Sequence, residues 1–136
     1  MVSEISVIPS EELAAWGTDT RTLAFASLNG LAIDTDGFIY TTEFRGNRIR
    51  KISSDGKLVL EWGTSGSADG MFQAPTGVFI GPDGNVFVAE SGNDRIQKFT
   101  SGGDWLATIG SFGAGNGQFQ SAMVLAISDG GEIFAS

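Results

Sequence analysis

Residues 28–63 and 75–110 of this 136-residue chain are one segment written twice, 47 positions apart and without a gap. Gly30 meets Gly77, Ile33 meets Ile80, Asp36-Gly37 meets Asp83-Gly84, and Arg48-Ile49 meets Arg95-Ile96. Gly63 meets Gly110 at the end of the register. A fixed period of this length marks a chain of stacked supersecondary units, because one unit cannot bury its own apolar face. Each copy holds four short apolar stretches, in the second copy Gly77–Ile80, Val86–Glu90, Arg95–Thr100 and Asp104–Ile109. Gly, Pro, Asn and Asp clusters separate them. Such runs read as hairpin-linked antiparallel strands, and no stretch keeps a helical period long enough to compete. Four strands per repeat of this length predict a β-propeller blade.

The run from Pro75 to Phe99, Pro-Thr-Gly-Val-Phe-Ile-Gly-Pro-Asp-Gly-Asn-Val-Phe-Val-Ala-Glu-Ser-Gly-Asn-Asp-Arg-Ile-Gln-Lys-Phe, resembles an NHL repeat. Gly30 to Ile52 is a looser version. The resemblance implies an all-β, NHL-type propeller. It says little about function, because the matching residues build the blade.

The pattern runs on past Gly110: Phe119-Gln120, Ile127 and Phe134 match Phe72-Gln73, Ile80 and Phe87. Residues 123–136 thus read as strands one and two of a further blade. At the other end, Ile5 and Ile8 match Ile49 and Ile52, and Leu13 and Trp16 match Val59 and Trp62. Residues 1–17 read as strands three and four. The expectation is three blades per chain, two complete (28–63 and 75–110) and one split between the termini. Three blades cannot close a ring that takes about four to eight. Open edges at Ile5 and Ile8, and at Ile133 and Phe134, invite pairing. Two chains joined head to tail would complete both split blades. We therefore expect a six-bladed homodimer, with Ile5, Ile8, Ile133 and Phe134 at the closure. A fragment of a longer NHL propeller, or a duplicated half-propeller without an evolved ligand, would read the same way.

Composition narrows the function classes. The net charge is −8, and the field of such a surface repels polyanions. That argues against nucleic acid as a partner and favours a basic or cationic one. No apolar run is long enough for a transmembrane helix, and no signal peptide is seen. The compartment is unknown, cytoplasmic by default. The chain has no His and no Cys, which removes the commonest general base and thiolate chemistry. The His-dependent lyase activities of related propellers have no residue to carry them here. A carboxylate- or calcium-dependent hydrolase or lyase at the central channel stays open as an alternative to a non-enzymatic binding or scaffold module.

Asp34-Thr-Asp-Gly37 superficially resembles a calcium loop. The twelfth position from Asp34 is Arg45, where an EF-hand needs Glu. A hairpin turn is expected instead, with Asp36 and Asp83 bonding local backbone and Gly37 and Gly84 at positive φ. No cofactor or metal ligand set is expected, calcium at the channel mouth remaining the one candidate. Glu43/Arg48 and Glu90/Arg95 recur five residues apart across the second hairpin. Recurrence in each blade points to structural ion pairs. Binding residues are sought where the repeats differ. The loops between strands two and three offer Phe44, Arg45 and Asn93, and the inter-blade loops Asp69 and Asn116. A small polar ligand or a protein is the partner class expected on the loop face or at the channel mouth.

Overall fold

The computed structural model describes residues 2–7, 21–113, 115–120, 125–130 and 132–135. Its elements are all strands: β1 (Val2–Val7), β2 (Arg21–Ile33), β3 (Ile39–Glu43), β4 (Arg48–Ile52), β5 (Leu58–Trp62), β6 (Pro75–Ile80), β7 (Val86–Glu90), β8 (Arg95–Phe99), β9 (Trp105–Ile109), β10 (Ser111–Phe112), β11 (Gln118–Phe119), β12 (Leu125–Ile127) and β13 (Ile133–Ala135). Strands β2 to β5 form one antiparallel blade and β6 to β9 the next. The hairpin β12–β13 follows. Among the described residues there is no helix.

The 47-residue step recurs in the backbone. Ser27 and Ala74 share φ near +60 and +50 (63 and 51), as do Asn47 and Asp94 (49 and 51). Both inner strands carry a bulge, at Leu28/Gly30 and at Pro75/Gly77. Gly30 explains one of the invariant-looking glycines: a Cβ there would lie 2.7 Å from Thr42 Oγ1 and 3.2 Å from Gly77 Cα. The inner strands of adjacent blades touch at these glycines.

The core lies between blades. Tyr40 and Ile49 of the first blade pack with Phe72, Val78, Val86, Val88 and Phe99 of the second. Phe99 packs against Phe72 and Trp62 with the rings tilted by 46° and 53°, at ring-centroid distances of 5.5 and 5.7 Å. On its other side the second blade uses Phe87, Ala89 and Ile96 against Ile127 and Ile133 of the hairpin. Strand β7 is therefore buried on both faces, which is why Val-Phe-Val-Ala lacks polar alternation. Burial each of these side chains contributes is about 1.5–3 kcal/mol. The outer strands β5 and β9 have no buried residue and half-bury only Leu60, Trp62, Ala107 and Ile109, and Trp105 is exposed there.

One expectation about the N-terminus differs from what is found. Read as the third strand of a split blade, β1 instead pairs antiparallel with β2, Ile5 opposite Leu23. It becomes the fifth strand of the first sheet. The physical reason is local: Arg21-Thr-Leu-Ala24 is strand-forming, whereas Ala68-Asp-Gly-Met71 at the same place in the next blade contains a glycine at φ 81. Only the first gives β1 an extended edge to pair with. Ile8, Leu13 and Trp16 lie outside the described residues.

Candidate functional site

The two ends of the blades differ in character. At one end the β3–β4 and β7–β8 loops meet the inter-blade connections, and buried polar groups hold them together. Glu90 is fully buried. Its Oε1 accepts from Gln73 N–H at 3.0 Å and Asn93 Nδ2 at 2.7 Å. Its Oε2 accepts from Arg95 Nε at 2.7 Å and Gln97 Nε2 at 2.8 Å. Arg95 also donates to the carbonyls of Ser67, Ala68 and Met71. Glu43 repeats the scheme, accepting from Ala26 N–H and from Arg48 Nε, both at 2.6 Å. Hydrogen bonding to the Glu43 carboxylate is also the main cause that raises the Arg48 pKa. Each Glu/Arg pair thus fastens its own hairpin to the connection that enters its blade.

The sequence-predicted binding residues sit at this end and do not converge. Phe44 is half-buried and Arg45 exposed; their amides are pinned to Ser27 O and Ala26 O. Asn93 is engaged by Glu90 and by Gly66 O. Asp69 accepts from Thr108 on the outer strand. Asn116 is exposed between β10 and β11. Neither cleft described next is lined by any of them.

The clefts open at the opposite end, where the turns between first and second strands gather around the axis. A cavity of about 230 Å³ lies among Ile33, Ile80 and Ile127, one isoleucine from each repeat, with Asp34, Thr35, Ser128 and Asp129 around them. The three isoleucines form an apolar floor and the turns a polar, acidic rim. No Lys or Arg lines it. An adjoining cleft, between the first two blades, holds Asp36, Asp83 and Lys51. There Lys51 is already committed: its ammonium stands 4.4 Å from the Phe38 ring centre and donates to Ser101 O at 3.1 Å.

The turn chemistry differs in one residue from the sequence expectation. In the first turn Asp34, not Asp36, bonds the backbone, accepting from the amides of Asp36 and Phe38 at 3.0 and 2.9 Å. The first Asp of the loop reaches forward over the tight turn, while Asp36 is itself a donor to it. In the second turn Asp83 accepts from the amide of Asn85. That bond is the chief reason its carboxyl is held below the usual range. Gly37 and Gly84 adopt φ 86 and 84. The Tyr40 hydroxyl donates to Asp34 Oδ2 at 3.1 Å. Burial first, and then this bond and the neighbouring carboxylate charge, push the Tyr40 phenol well above its ordinary value. Among the described residues no group of three or more His, Cys, Asp or Glu side chains comes together to hold a metal.

Comparison with known proteins agrees with this architecture. The NHL repeat model matches residues 72–99. No curated protein matches the chain. Virginiamycin B lyase from Staphylococcus aureus is similar in structure, with a TM-score of 0.65 at 16% identity over 98% of this chain and 37% of that one. A catalytically inactive form of that lyase with quinupristin gives a TM-score of 0.63 at 21% identity, over 98% of this chain and 48% of that one. A streptogramin B lyase gives 0.58 at 21%, over 87% and 44%. This chain therefore carries an NHL repeat within a propeller-like, all-β fold, and it spans less than half the length of the solved structures it matches.

Proposed function

We propose that this chain is a non-enzymatic binding module of the propeller type, and that its ligand sits at the channel mouth and carries a positive charge on a short apolar stem. The observation that supports this is the cavity under the three isoleucines, apolar in its floor and acidic in its rim. Such a site favours an alkylammonium group or a basic side chain at a peptide terminus, since the stem covers Ile33, Ile80 and Ile127 while the charge faces Asp129. The net charge of −8 draws the same class of partner from solution. A catalytic reading has less support. A general acid or base works best with a pKa near the operating pH, and the two side chains shifted at this face move away from it, Asp83 down and Tyr40 up.

The test is titration calorimetry of the whole chain with n-butylamine hydrochloride, n-butanol and sodium butyrate. The amine should bind most tightly, weaken as salt is added, and lose about two- to fivefold in affinity in Asp129→Asn, the size of one exposed charge contact. Equal binding of the alcohol, or tighter binding of butyrate, would overturn the reading.

A further inference from the structure

The 47-residue step shows what covers each blade, and it leaves one blade uncovered. In the second blade Val78 is 2% exposed and Ile80 joins the inter-blade core. The strand that carries them, β6, packs on β2 and β3, the first two strands of the preceding blade. In the third repeat Ile127 and Ile133 of the β12–β13 hairpin pack on the second blade in the same way. In the first blade the matching residues, Leu31 and Ile33, are 50% and 61% exposed.

The exposure is confined to one part of that face. Phe25 and Leu28, earlier on the same strand β2, are buried with Ile52 in a cluster of their own with Ile39 against it. What is missing is cover for the end of β2 that carries Leu31 and Ile33, the part that strands one and two of a preceding blade supply elsewhere.

We propose that the open face of the first blade is the seat of the β12–β13 hairpin of a second copy of this chain. The hairpin is the one pair of first and second strands that the described residues leave without a third and fourth. By register it stands where β2–β3 and β6–β7 stand. The contact is heterologous, using different surfaces on the two copies, and one that repeats the internal blade-to-blade step turns through the same angle each time. Two copies give six blade positions, within the range that closes. The first-to-second-strand turns of both copies then surround one channel mouth. Completing the hairpin's blade with residues 2–7 of the other copy would require β1 to leave β2; docking of the hairpin on Leu31 and Ile33 does not.

The experiment is multi-angle light scattering on the whole chain, with Leu31→Asp, Ile33→Asp and, as control, Val59→Asp on the exposed outer strand. The expected result is a mass about twice the 14.2 kDa chain, lowered toward one chain by the first two substitutions and unchanged by the third. Both target residues are exposed, so far-ultraviolet circular dichroism should stay native. Because the chain has no cysteine, Ile33→Cys/Ala126→Cys adds a second readout. These positions match Ile80 and Ala32, which pack on the same core cluster. A short bis-maleimide should link them into a covalent dimer. A single-chain mass, a mass that climbs with concentration into a ladder of crosslinked species, or no effect of Leu31→Asp and Ile33→Asp on the dimer would overturn the proposal.

Discussion

Replacing Glu90 with alanine should cost more than replacing its counterpart Glu43, and the geometry says by how much. Glu90 accepts four hydrogen bonds in a site closed to solvent. After truncation Asn93 keeps Gly66 O, and Gln97 keeps Met71 O. Among the described residues, the Gln73 amide and Arg95 Nε are left without an acceptor. A buried orphaned amide costs about 1–3 kcal/mol, and breaking a buried ion pair about 3–5 kcal/mol in all. Arg95 keeps three carbonyl partners, which holds the total near about 3–4 kcal/mol. In Glu43→Ala, Arg48 and Arg50 both keep Glu61 as an ion-pair partner and the Arg48 side chain is 30% exposed, so water and Glu61 replace part of what is lost, and about 2 kcal/mol is expected. Against a total of about 5–15 kcal/mol for a domain, both changes lower the urea midpoint clearly. The assay is equilibrium urea unfolding at one fixed protein concentration, with native-state hydrogen exchange at the Gln73 amide. A loss below about 1 kcal/mol for Glu90→Ala, or a larger loss for Glu43→Ala, would refute the argument that burial of the network sets its worth.

Two further outcomes follow from single residues. Tyr40 is the one tyrosine of the chain, so phenolate absorbance reports it alone. A phenol whose folded pKa is raised contributes stability that is full below its ordinary value of 10.0 and is lost as pH rises through the folded value. Phenolate should therefore appear only with alkaline unfolding; a titration centred near 10.0 with native near-ultraviolet dichroism would contradict the Tyr40–Asp34 contact. Gly63→Ala should cost about 2–4 kcal/mol, since a Cβ at φ 102 would run into the buried Phe72 ring. Gly84→Ala, also at positive φ but with nothing within 4 Å, should cost about 1 kcal/mol; equal losses in thermal unfolding would show that the ring contact is unimportant.

What the residues declared on their own is what depends on near neighbours in the chain. The hairpin turns are legible in Asp-Gly and Asn-Asp pairs because a tight turn needs specific φ values, and four strands per repeat follow from their spacing. The Glu43–Arg48 and Glu90–Arg95 pairs are legible because antiparallel pairing sets the two residues opposite each other across one hairpin. The rest was decided by packing between units. Asn93 reads as a loop residue free to bind, yet it is spent on Glu90, because the inter-blade connection folds back over the hairpin. The partner of β1 turns on Leu23 standing where the next blade has Gly70, a contest between two edges that spacing alone does not weigh. Ile33, Ile80 and Ile127 show in the sequence only as marks of the repeat. They become the floor of a cavity because β2, β6 and β12 come side by side around the axis. Local spacing determines the blade, since its contacts are short in sequence; the mouth and the uncovered face depend on where whole blades sit, which burial of their apolar faces decides in three dimensions.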